Sequence, residues 1–132
     1  MEYKALNYDP MASARSVQIN AMANYFHTKS AGNGWWPESM RTNPLAVSNK
    51  LMLIVSEISE AMEGDRKDAP DDKLPHRKMI EVELADALIR IFDLAGFLGL
   101  DLGGAMVEKD AYNDTRQDHK AEARAATNGK AY

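Results

Sequence analysis

The sequence predicts an all-α fold, a bundle of about four to five helices. Apolar residues recur at helical spacing in long segments, and no segment shows the period-two alternation of a half-buried strand. Two of these segments open on a capping residue followed by proline, Asp9-Pro10 and Asn43-Pro44, the order that starts a helix. Glycine and proline punctuate the chain where helices should stop. With 132 residues the chain fits one domain, expected over residues 1–132 with a polar tail from about residue 118.

The elements are expected in the following order. The first helix runs from Pro10 to about Thr28, with Val17, Ala21, Met22, Tyr25 and Phe26 supplying apolar contacts. Residues 29–42 are broken by Gly32, Gly34 and Pro37 and read as a loop holding Trp35 and Trp36. The second helix runs from Asn43-Pro44 to near Gly64. Residues 65–75, from Asp65 to Pro75, read as a polar, mobile connector. The third helix runs from about His76 to Leu98 and stops at Gly96 or Gly99. The fourth follows Asp101 and carries Met106, Val107 and Tyr112. From Thr115 onward the composition fits a solvated helix extension or a disordered tail.

Composition removes several classes of function. The formal net charge is −4, which argues against charge-driven binding to nucleic acid polymers or anionic membranes. It leaves polyanionic ligands open, because a bound metal ion inverts the local field. The absence of cysteine removes disulfides, thiolate zinc sites, iron–sulfur clusters and cysteine nucleophiles. No apolar run approaches the roughly 18 residues of a membrane span, and no signal peptide is visible near the N-terminus. A cytoplasmic protein is expected.

Carboxylates on the second and third helices carry the most chemical information. Glu57 and Glu60 are three positions apart, as are Glu83 and Asp86, so each pair shares a helix face. At about 100° per residue, Val47, Leu51, Ile54, Ile58, Ala61 and Met62 form one apolar arc. Glu57 sits at the edge of that arc and Glu60 one step further round, whereas Glu63 points away. The third helix is apolar on nearly all sides, the pattern of a helix buried in the middle of a fold. Its polar stripe holds Glu83, Asp86, Arg90 and Asp93, and Arg90 is spaced to pair with Asp86 or Asp93. Buried carboxylates cost several kcal/mol or take up protons unless a partner compensates them. A hard divalent cation such as Mg²⁺ or Mn²⁺ would compensate four of them together. A single such pair is common on solvated faces; two at the edges of apolar faces favour a metal site.

The fourth helix supplies a possible complement. Lys109, Asn113 and Arg116 follow i, i+4, i+7 spacing and could hold phosphate oxygens, although such spacing also marks solvated faces. Tyr112 beside them can stack on a base or simply pack. Trp35 and Trp36, before the first carboxylate helix, can stack on a base or plug the core.

Taken together, these residues resemble a known family. Glu57-x-x-Glu60, 22 intervening residues and Glu83-x-x-Asp86 are similar to the signature of the MazG-like all-α nucleoside triphosphate pyrophosphohydrolases. Leu53-Ile54-Val55-Ser56-Glu57-Ile58-Ser59-Glu60-Ala61 and Glu83-Leu84-Ala85-Asp86-Ala87-Leu88-Ile89-Arg90 fit the surrounding words, and Lys109-x-x-x-Asn113-x-x-Arg116 resembles the C-terminal motif. The resemblance spans roughly residues 34–117. It implies an all-α bundle of the NTP pyrophosphatase type, assembled as a homodimer or homotetramer with sites near subunit interfaces. The implied reaction is cleavage of a (d)NTP between the α- and β-phosphates, giving the monophosphate and pyrophosphate. Glu57, Glu60, Glu83 and Asp86 would bind about two or three Mg²⁺ or Mn²⁺ per site, and one of the glutamates would accept the proton of the attacking water. Lys109, Asn113 and Arg116 would hold phosphates. The short length is similar to phage-encoded members, which work in the host cytoplasm and some of which act on purine deoxynucleotides such as dGTP.

Two rival readings account for less of the sequence. A di-iron carboxylate bundle needs Glu-x-x-His pairs, whereas His27, His76 and His119 occupy none of those slots and read as surface residues. A non-catalytic helical interaction module explains amphipathic helices, but not a nearly all-apolar helix with charges gathered in one stripe. A P-loop, an EF-hand loop and His-Glu-x-x-His are absent.

Overall fold

A computed structural model describes residues 10–126 and 128–129, and these are helical throughout apart from short connections. The elements are α1 (Pro10–Gly32), α2 (Glu38–Arg41), α3 (Ala46–Lys67), α4 (Met79–Leu98), α5 (Leu102–Thr115), a 3-10 turn (Gln117–His119) and α6 (Ala121–Ala125). The all-α expectation holds. Asp9, expected to cap the first helix, lies outside the described residues. Among the described residues no helix is long and apolar enough to cross a membrane.

The chain divides into two compact units, one drawn from Met1–Asn20 with Asp101–Tyr132, the other Ala21–Leu100. In the second unit α3 and α4 form the densest helix pair. They run antiparallel: Gly64 meets Met79 and Ile80, while Glu57 bonds to Arg90 further along. A Cβ at Gly64 would collide with the Met79 side chain, so glycine there permits close approach and does not end the helix. The expected stop at Gly64 is thus corrected. The helix continues to Lys67 and ends on Asp68, whose φ of 45° is the left-handed conformation that Asp tolerates. Gly99, at φ 65°, closes α4 in the same way, with the Leu100 amide donating to the Ala95 carbonyl.

The Asp65–Pro75 connector is more ordered than expected. Pro70 and Lys78 form an antiparallel bridge, and the buried Asp71 carboxylate accepts from the Lys73 and Leu74 amides at 3.0 and 2.6 Å. Asp at the start of a turn does this readily. Residues 29–42 also depart from a simple loop. α1 runs on to Gly32, and α2 follows Pro37.

Helix α1 buries Ala23 and stacks Phe26 on Phe92 at 6.0 Å. Val17, Met22 and Tyr25, expected to supply apolar contacts, are exposed. Phe26 makes the apolar contact expected of it, and Ala23, which was not among the expected residues, adds another, with Gly96 pressed against Ala23 and His27.

The apolar arcs of α3 and α4 are only partly used. Ala46, Ala61, Ala87, Phe92, Leu94 and Ala95 are buried, whereas Leu51, Val55, Ile58, Met62, Leu84 and Leu88 are exposed. The expectation of a fully buried third helix is corrected. Small residues let α3 and α4 approach, and the opposite faces are left exposed among the described residues.

In the first unit Asp101 caps α5 by accepting from the Gly104 amide at 2.9 Å. Asn20 ties the cap to α1, donating to Asp101 at 2.7 Å and accepting from the Gly103 amide at 2.8 Å.

Candidate metal centre

Three of the four carboxylates of the two i,i+3 pairs meet where α3 and α4 pack together. Oxygens of Glu57, Glu60 and Glu83 lie within 4.8 Å of one another. Glu57 and Glu83 are 7% and 8% exposed, while Glu60 is open to solvent. Helical periodicity explains the meeting: each glutamate sits on the margin of the face its helix turns to the other. Asp86, one turn beyond Glu83, is exposed and falls outside the closest group.

The electrostatics are those of crowded negative charge. Burial, hydrogen bonding to Glu57 and the charges of Glu60, Glu57 and Asp86 push the Glu83 carboxyl up to about 7. Asp86 is also raised, first by burial, then by Glu57 and Asp71, against a lowering from Arg90. Such a group relieves its repulsion by holding a proton or a cation. Converging carboxylate oxygens without nitrogen or sulfur donors suit Mg²⁺ or Mn²⁺.

Arg90 does not pair with Asp86 or Asp93, as its spacing had suggested. Its Nε donates across the helix pair to Glu57 Oε1 at 2.5 Å. Asp71, which sequence reasoning passed over, adds charge near Asp86. The Asp-Asp-Lys-Leu turn beginning at Asp71 was the available signal.

The rest of the polar stripe has another task. Asp93 is buried and accepts from Trp36 Nε1 at 2.8 Å and Ser30 Oγ at 2.9 Å, with His27 Nδ1 2.9 Å away. Trp36 is 5% exposed, stacks on Phe97 at 3.9 Å and lies beneath the Lys50 ammonium at 4.4 Å. Of the two readings open for Trp36, base stacking is thus set aside and core packing is what the structure shows. His27 is likewise corrected from surface to half-buried. Trp35, 66% exposed in the turn after α1, keeps its ring open.

The expected phosphate residues belong to the other unit. Lys109, Tyr112 and Asn113 lie on α5, with the Lys109 ammonium 4.7 Å from the Tyr112 ring. Asn113 Oδ1 is buried and unpartnered among the described residues. Arg116 departs from the expected face, because α5 ends at Thr115 and Arg116 takes an extended conformation. Asp118 accepts from Arg116 Nε and Nη2 at 3.0 and 2.6 Å. A polar groove of about 500 Å³ runs past Asn113, Arg116, His119 and Lys120.

Comparison with protein families, with curated proteins and with solved structures returned no match.

Proposed function

We propose that the chain hydrolyses a (deoxy)nucleoside triphosphate between the α- and β-phosphates, releasing the monophosphate and pyrophosphate. The observation that carries this reading is the convergence of Glu57, Glu60 and Glu83 within 4.8 Å at the crossing of two long helices. Its motif spacing resembles that of MazG-like pyrophosphohydrolases. Glu57, Glu60 and Glu83 would hold the cations, with Asp86 completing the set from the next turn of α4. Bound Mg²⁺ or Mn²⁺ supplies charge neutralisation at the phosphates and a more acidic attacking water. A glutamate of the cluster takes that water's proton.

Lys109, Asn113 and Arg116 are assigned to the phosphates on the resemblance. The open ring of Trp35 suits stacking on a base, and a purine deoxynucleotide such as dGTP is the proposed substrate. The protein would work as a homodimer or homotetramer. Exposed Leu51, Val55, Ile58 and Met62 support this, because their spacing forms one stripe along α3. Screening pyrophosphate release over the common (d)NTPs with Mg²⁺ tests the reading. Release from at least one, strongest for a purine dNTP, is expected; orthophosphate and (d)NDP alone would overturn the assigned bond.

A further inference from the structure

Arg90 lies at the carboxylate cluster but is given no role by the reading of the four carboxylates as cation ligands. It stands four residues after Asp86 and seven after Glu83, on the same face of α4. Its guanidinium bonds to Glu57, a side chain only 9% exposed, while the Arg90 side chain itself is 39% exposed. Among the described residues, this is the sole ion pair to Glu57, Glu60, Glu83 or Asp86. The bond uses Nε, and the Arg90 side chain makes no other hydrogen bond among the described residues. The planar edge bearing both Nη groups is thus left for an oxyanion.

We propose that Arg90 is a resident counter-ion of the cluster, one that weakens the binding of free divalent cations and strengthens the binding of a triphosphate. The inference rests on the metal-site reading above. A fixed positive charge beside Glu57 opposes an arriving cation, because both compete for the same carboxylate field. The sign reverses for an arriving polyanion, which meets the guanidinium as well as the cations. Arg90 thereby couples the two ligands: metal enters more readily with phosphate, and phosphate with metal. A merely structural salt bridge would do neither. Its loss would loosen Glu57 and weaken the metal site, the usual result of removing a group that orients a ligand.

The test uses full-length wild type, Arg90→Gln, Arg90→Met and Arg90→Lys, each checked by circular dichroism. Mn²⁺ binding without nucleotide is measured by calorimetry at pH 8, and KM and kcat are measured with the best (d)NTP. Arg90→Gln and Arg90→Met should bind Mn²⁺ about tenfold more tightly, as expected when one nearby like charge is removed. Their KM should rise by about tenfold, the scale of one lost charge-assisted phosphate contact. Arg90→Lys, which keeps the charge, should retain wild-type Mn²⁺ affinity. Unchanged or weaker Mn²⁺ binding in both neutral variants would overturn the proposal. Tighter Mn²⁺ binding in these variants without pyrophosphate release by any of the proteins would uphold Arg90 as counter-ion and remove the proposed reaction. A wild type that binds no Mn²⁺ would overturn both.

Discussion

Trp36 donates from its indole nitrogen to buried Asp93 at 2.8 Å, joining the segment before α2 to the middle of α4. A carboxylate in that position needs donors, and Trp36 and Ser30 each provide one. Trp36→Phe keeps the stacking on Phe97 but removes a donor. We expect a loss of about 1–3 kcal/mol, the cost of leaving a buried acceptor short of a partner. Urea unfolding should show a lower midpoint with little change in slope. Trp35→Ala should leave the midpoint unmoved and raise KM for the triphosphate. A destabilisation from Trp35→Ala equal to that from Trp36→Phe would contradict the division of labour.

Neutralising one carboxylate should separate activity from stability. Glu60→Gln and Asp86→Asn each remove a negative charge from a repelling group. Turnover should fall by at least about 100-fold, as in metal sites that lose a supporting group. The Tm of the metal-free protein should stay level or rise. Wild-type turnover in both variants would remove these side chains from the chemistry.

Glu83 predicts a particular pH dependence. Its folded-state carboxyl is near 7 against an ordinary value of 4.5, so the folded protein holds a proton that the unfolded chain has released. Stability of the metal-free protein should therefore fall as pH rises between those two values. Glu83→Gln should flatten the curve over that window. Mg²⁺ should restore stability at pH 8, because a ligand that binds only the folded state stabilises it. Thermal unfolding in EDTA and in Mg²⁺ from pH 4 to 8 reads both effects. A Tm that rises steadily with pH in EDTA would contradict the raised carboxyl.

The exposed stripe on α3 carries the prediction about assembly. Leu51→Glu places a charge among Val55, Ile58 and Met62 without disturbing a buried residue. Light scattering after size exclusion should shift from an oligomer to a monomer. An oligomer of unchanged mass, or a monomeric wild type, would remove α3 as the interface.

Periodicity made the helices and the carboxylate convergence legible, since i,i+3 spacing fixes which face a side chain occupies before any partner is known. It also overcounted the core. An apolar face reads alike whether its own chain covers it or leaves it exposed, so Leu51, Leu84 and Leu88 were expected inside. The partner of a polar residue was harder still to see. Arg90 lies within reach of Asp86 along its own helix yet bonds to Glu57, because tertiary packing brings α3 closer. Asp93 shares a stripe with Asp86 but turns to His27, Ser30 and Trp36. Gly64 looked like a stop and proved to be a contact, a difference that only the position of Met79 decides.

The central claim is that the Glu57, Glu60 and Glu83 cluster serves cleavage between the α- and β-phosphates. Phosphorus NMR of the protein with Mg²⁺ and a (d)NTP tests it most directly, since each product has its own resonances. The account predicts monophosphate and pyrophosphate appearing together in equal amounts, and neither with Glu60→Gln. Diphosphate and orthophosphate, or a triphosphate left intact across all common (d)NTPs, would contradict it.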